Sequence, residues 1–285
     1  MTVPPEVRQH CRQARTSART DGLVPALTLL LRALSPKTPP RGPRGHAILP
    51  KELLAEFAAE EAEAEAAARA DETRHAGDAE QVGDTGDTEG AGSAERPERA
   101  EDDSTADTPG TLPGEGGPGA GGARAARVET AGLLPGLALT RSAGAEEAAP
   151  EWGWAVAWLR LGMSERLRDA CLAHLASRHT DGAPLLMQQM VKGTLAEVLL
   201  EHVEIEGVLD DLTAGRTGPL GPLRPTDDRH LAALQEQITR ADRTLLRLLG
   251  AHGFTADGPG AGAHASELLA DAYGPPGPRT GPEDA

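Results

Sequence analysis

Trp152-Gly-Trp-Ala-Val-Ala-Trp-Leu-Arg-Leu-Gly-Met-Ser-Glu-Arg-Leu-Arg-Asp-Ala-Cys-Leu-Ala-His-Leu-Ala-Ser177 sets Val156, Leu159, Met163, Leu167, Ala170, Cys171 and His174 at intervals of three and four. That period is one face of an α-helix. The Asp181-Gly182 pair then marks a turn. From Pro184 to Leu212 the period returns through Leu186, Met190, Leu195, Val198, Leu199, Ile205 and Leu209. After the Gly/Pro loop at 215–225, Thr226 or Asp227 offers an N-cap to a third helix, carried by Leu231, Leu234, Ile238, Ala241, Leu245, Leu248 and Leu249 and stopped at Gly250. A last short helix is expected from Ala265 to Tyr273. Four helical patterns with short connections predict an all-α bundle.

The 285 residues divide unevenly. Between Phe57 and Trp152 there is no aromatic residue, and from Ala58 to Thr111 Val82 is the only large aliphatic. Such a stretch cannot bury enough apolar surface to offset the entropy of ordering it. The expected organisation is therefore N-terminal helices over 1–35, docking on the bundle, then a Pro-rich turn and an Ala/Glu helix over 36–70. A disordered acidic and Gly/Pro-rich linker over 71–138 leads to the bundle over 139–273, with a disordered tail over 274–285. Leu133, Leu134, Leu137 and Leu139 are expected to form a short docking segment.

The formal net charge of -16 comes largely from the acidic tract. It argues against nucleic acid, which needs a basic stripe to release counterions, and against an anionic membrane surface. Cys11 and Cys171 stand alone, so neither a disulfide framework nor a zinc site is indicated, and a reducing cytoplasm is the expected compartment. No basic and apolar leader opens the chain at Met1. Abundant Ala, Gly, Arg and Pro with scarce Lys point to a high-GC bacterial coding sequence.

Gly162, then Arg178-His-Thr-Asp-Gly182-Ala-Pro-Leu185-Leu-Met-Gln-Gln189, then Leu195-Ala196 resemble the start of the C-terminal helical domain of acyl-CoA dehydrogenases. That family opens the second helix with R-x-x-F-G-x-x-L-x-x-x-Q. Leu248-Leu-Gly250-Ala-His-Gly253-Phe254-Thr255-Ala-Asp-Gly-Pro259 resembles its Q-x-x-G-G-x-G-Y-T-x-x-x-P stretch, and Glu267-Leu-Leu-Ala-Asp271-Ala272 its R-L-Y-R-D-A. The resemblance covers 152–273. It implies a four-helix bundle that assembles as dimers and tetramers, with FAD lying between the bundle and a middle β-barrel domain and partly against a neighbouring subunit. It further implies that Arg178 holds the cofactor pyrophosphate, that Gln189 is a cofactor contact, and that Gly250, Gly253 and Phe254 form the turn where backbone approaches FAD. The implied chemistry is oxidation of a CH-CH group of an acyl thioester.

The departures are equally specific. Asp181 stands for the motif phenylalanine, Arg247 for glutamine and Ala251 for the second glycine. Residues 58–151 cannot make the barrel. The usual base, a glutamate after the R-D-A helix, is absent. Glu151 lies one residue from the alternative position, and one residue turns a helical side chain by about 100°. No catalytic residue is identified. On residue chemistry alone, Arg178 is a helix-end arginine that satisfies carbonyls or pairs with Asp181, and Gln189 is a polar residue at a helix interface. Glu165-Arg166 is a solvated pair, and Trp152, Trp154 and Trp158 are core, with an oligomer contact as the alternative. His174, His179, His202 and His252 lack metal-ligand spacing. Two functions follow: an accessory subunit sharing an FAD site with a complete acyl-CoA dehydrogenase, or a non-catalytic helical association protein derived from that domain.

Overall fold

A computed structural model describes residues 3–60, 62, 63, 66, 127–129, 135–141, 150–215, 217, 218, 221, 222, 228–255 and 258–274. Residues 1–63 and 124–285 form one compact unit. The described residues are predominantly helical. Helices α1 (Pro5–Thr20), α2 (Leu23–Leu34) and α3 (51–60) come from the N-terminal part. Helices α4 (Pro150–Ser177), α5 (Gln189–Ala214), α6 (Asp228–Leu249) and α7 (Gly260–Tyr273) make the bundle. Thr226 and Asp227, the expected N-cap of α6, lie outside the described residues, as does most of the expected linker and the tail after Gly274.

Helix α4 is the axis of the molecule. Its sequence predicts one apolar face, yet every residue from Trp152 to Glu165 is buried. A helix apolar nearly all round must be covered all round, and α1, α2, α5, α6 and α7 all pack against it. Gly162 lets α1 come close, because a Cβ there would collide with the Arg15 carbonyl. Helix α1 is thinly apolar by itself and is held by this packing and by charge. Arg15 reaches Glu165 on α4 at 2.7 and 3.0 Å and also binds Glu206 on α5. Glu165 is therefore not half of a solvated pair with Arg166. It is 4 % exposed, while Arg166 donates to the carbonyls of Arg19 and Thr20 and so closes the end of α1.

A small sheet departs from the purely helical expectation. Strands β1 (His46–Pro50), β2 (Arg127–Glu129) and β3 (Leu137–Arg141) run antiparallel in the order β1-β3-β2, with Ile48 opposite Leu139. Residues 127–129 and 137–138 thus carry strand where a linker is expected. The sheet is fastened to the bundle by Tyr273, whose hydroxyl accepts from the Ile48 N–H at 2.9 Å and lies 3.3 Å from the Ile48 carbonyl it donates to.

Candidate functional site

The two segments that carry the family resemblance meet at one end of the bundle. The chain leaves α4 through Arg178, forms β4 (His179–Thr180) and β5 (Ala183–Pro184), and enters α5 by a 3-10 turn at Leu185–Met187. Asp181 and Gly182 have φ of 53° and 80°. A two-residue hairpin turn of type I′ requires both central residues in the left-handed region, and Asp-Gly meets that demand. The aspartate at the motif's phenylalanine position is thus explained by the turn. Helix α6 ends in a second 3-10 turn, Gly250–Phe254. The imidazoles of His174 and His252 stack with centroids 4.1 Å apart and planes within 6°, joining the end of α4 to this turn. Partial burial, then His252, then the charge of Arg178 hold His174 below the ordinary histidine range.

The residues singled out by the resemblance stand in different environments. Arg178 is exposed, and among the described residues its guanidinium has no hydrogen-bond or ion-pair partner, so the expected pairing with Asp181 is not formed. Gln189 is exposed at the first turn of α5 and does not lie inside a helix interface. Gly250 has φ +55° and open space where a Cβ would stand, so its role is the left-handed stop of α6. Gly253 is used by its own chain, since a Cβ would come within 3.2 Å of Leu246 and 3.3 Å of Leu249. Phe254 is exposed and, with Gly250, borders a cleft of about 920 Å³ between α6 and α7 that also carries Arg240, Arg247 and His264. Glu151 sits in the first turn of α4, 27 residues from Arg178, which is about 40 Å along one helix.

A flavin dinucleotide needs an anion contact, backbone room for its diphosphate and, for this chemistry, a base within reach of the substrate. Arg178 and Gly250 fit the first two requirements. Glu151 does not fit the third, because it lies at the other end of α4. No catalytic step follows from these residues.

Sequence reasoning missed a buried polar line through the bundle. Arg160, fully buried, donates to Ser266 and Thr239 at 2.9 Å and to Gln235. His202 Nε2 stands 2.9 Å from Ser164 Oγ, and its Nδ1 stands 3.2 Å from the Arg168 guanidinium. Because arginine only donates, Nδ1 accepts, and Nε2 carries the proton and donates to Ser164. With Asp242 buried in the same core, serine, histidine and aspartate are all present, but the polarity is reversed relative to a nucleophile and its base. Ser164 is 0 % exposed, so no substrate reaches it. Cys11 and Cys171 are buried free thiols pushed up to about 12 and about 11 by burial, hence unreactive. No group of metal-ligating side chains occurs among the described residues. None of the described helices is long and apolar enough to cross a membrane.

The surface itself carries the other anomaly. Met187, Met190, Leu199, Leu200, Val203 and Phe254 are between 49 % and 87 % exposed, and four of the six belong to α5.

No family model and no curated protein matches the chain. Among solved structures it has a partial likeness to a glutaryl-CoA dehydrogenase from Mycobacterium smegmatis in complex with FADH2 (TM-score 0.40, 18 % identity, 52 % of this chain and 44 % of that one). It is also similar to FkbI for biosynthesis of the methoxymalonyl extender unit of Fk520 (0.38, 17 %, 52 % and 46 %). A third likeness is to an acyl-CoA dehydrogenase from Geobacillus kaustophilus (0.37, 14 %, 49 % and 41 %). The chain spans less than half the length of each. A likeness of this size assigns no role to any residue here.

Proposed function

We propose that this chain is a non-catalytic association subunit built on an acyl-CoA dehydrogenase-like helical bundle. The observation that carries the reading is the exposed apolar face of α5. Its other face is buried in the bundle through Leu195, Val198, Ile205, Leu209 and Leu212. Leu199, Leu200 and Val203 lie within about one turn of one another, and exposed apolar surface gathered in this way marks an interaction site. Light scattering on the purified full chain tests it: an oligomer, or a stable complex with a co-expressed acyl-CoA dehydrogenase, is the expected result. A chain that stays monomeric and binds no such enzyme sinks the reading.

A second reading, a shared FAD site, is favoured by one observation. Arg178 is exposed with its guanidinium unpaired among the described residues, at the end of the bundle where Gly250 leaves backbone room. It requires a partner subunit to supply the base and the rest of the cofactor pocket. An absorbance spectrum after incubation with FAD and gel filtration, with and without a co-expressed dehydrogenase, tests it. A flavin band that weakens in Arg178→Ala supports the shared site, and colourless samples throughout eliminate it.

A further inference from the structure

We infer that the exposed face of α5 receives an amphipathic, cationic helix of another protein, whose apolar side covers Leu199, Leu200 and Val203 and whose lysines or arginines meet Glu197, Glu201 and Glu204. The inference rests on the association reading and names the chemistry of the partner. The three apolar side chains are 49 %, 68 % and 58 % exposed. The three glutamates follow one another at spacings of four and three, which at about 100° per residue aligns them along one flank of that apolar patch. An apolar strip with a charged rail beside it is matched by a helix of the same build and the opposite charge.

The rail stays acidic after its neighbours are counted. Among the described residues neither Glu197 nor Glu204 forms an ion pair, and Glu204 accepts only from the neutral amide of Gln237, at 3.2 Å. Partial burial holds the Glu201 carboxyl above the ordinary carboxylate range. Arg240 pulls it the other way, and Glu204 and Glu197 add to the rise. The three carboxylates therefore sense and repel one another, and a row of cations laid along them relieves that repulsion. The opposite flank is already matched, because Glu206 and Asp210 are held by Arg15 and Arg12 of the same chain. Lys192, the one lysine or arginine of α5, lies on that opposite flank and about 8 Å before Glu197 along the helix. A second copy in two-fold register thus brings the rail no matching cation, and antiparallel pairing would lay two glutamate rows side by side. An anionic membrane surface is repelled by the same row.

The test uses the full chain and a fluorescent helical peptide of about 15 residues, long enough to span the patch, with leucine on one face and lysine on the other. A leucine and glutamate peptide of the same pattern is the control. The lysine peptide is expected to bind at one site per chain and the glutamate peptide not to bind. Leu200→Asn should weaken binding by about tenfold, because the apolar contact is lost. The combined Glu197→Gln, Glu201→Gln and Glu204→Gln variant should weaken it by about tenfold as well, through the loss of three exposed ion pairs. Both variants should keep the wild-type circular dichroism spectrum, since all four side chains lie on the outer side of α5. A lysine peptide that binds both variants as tightly as wild type is held elsewhere on this acidic chain and overturns the inference. Equal binding of the two peptides overturns the charge complementarity. A chain that oligomerises or holds a dehydrogenase but binds no lysine peptide overturns the partner chemistry and leaves the association reading standing.

Discussion

His202 Nε2 and Ser164 Oγ lie 2.9 Å apart in the middle of the bundle, and the Arg168 guanidinium on the other ring nitrogen keeps the histidine neutral. Burial, then the neighbouring Arg168, lowers its pKa to about 4. The folded protein holds His202 neutral while the unfolded chain protonates it below about 6.5. Its stabilising contribution is therefore complete above pH 6.5 and is lost as pH falls from there through about 4.

The first prediction follows from its neighbour. Asp242 is buried, and desolvation pushes its carboxyl up to about 6, against the pull of the Ser164 hydroxyl and Arg160. Here the folded state favours the protonated form. The contribution is present below about 3.8 and is lost as pH rises through about 6. The two groups thus act with opposite sign across the same window, between about pH 4 and 6. Wild-type stability should change little there on their account. In Asp242→Asn the histidine is left alone, and the unfolding free energy should rise with pH across the window, by on the order of 3 kcal/mol in total. A variant as flat as wild type would show that Asp242 is ionised throughout.

The complementary variant, His202→Gln, keeps a donor for Ser164 and removes the titration. Its stability should fall as pH rises from about 4 to 6, the opposite slope to that of Asp242→Asn. Urea denaturation at pH 4, 5 and 6 on both proteins decides it. Equal slopes would mean that neither group is as desolvated as its burial implies.

A third prediction concerns Arg15, whose guanidinium bridges Glu165 and Glu206. Burial alone would lower its pKa, and the two carboxylates more than reverse that, which keeps it charged at any working pH. Arg15→Met leaves the buried carboxylate of Glu165 without its partner, and breaking such a pair costs about 3 kcal/mol or more. Adding Glu165→Gln should return most of that loss, because the uncompensated charge is then gone. If the double variant is no more stable than the single, the cost lies in packing of the arginine stem and not in the charge.

How much of this was legible in the sequence can be followed residue by residue. Helix α6 is readable because Leu231, Leu234, Ile238, Ala241 and Leu245 recur at helical spacing and all are buried. The burial of α4 on every side was not, since it depends on α1, whose own apolar stripe is thin, finding α4 from more than a hundred residues away. The strands were missed for the same reason: His46–Pro50 is five residues long and its partner begins at Leu137, so no local period marks it. At the candidate site, the family motif picked out Arg178 and Gly250, and the structure shows them at one end of the bundle. It could not show that Gly253 answers to Leu246 and Leu249. The exposed apolar residues of α5 are invisible to periodicity, because Met190 and Leu199 fit the helical period of a buried face, yet both are exposed.

The last prediction tests the α1–α4 approach. A methyl group at Gly162 would collide with the carbonyl of Arg15, and neither atom belongs to a flexible side-chain end, so one backbone must move. Overpacking of this kind costs about 1–3 kcal/mol. Moving α1 also strains the bridge from Arg15 to Glu165 and Glu206, because all of it hangs on the same turn of α1. Gly162→Ala should therefore lower the thermal midpoint, and it should weaken the effect of Arg15→Met when the two are combined, since the bridge is already displaced. Close neighbours couple in this way, and a double-mutant cycle measures the coupling. Strictly additive losses would mean that α1 shifts along its axis without disturbing the ion pair. In that case Gly162 fixes only the distance between the helices, and Arg15 fixes their register independently.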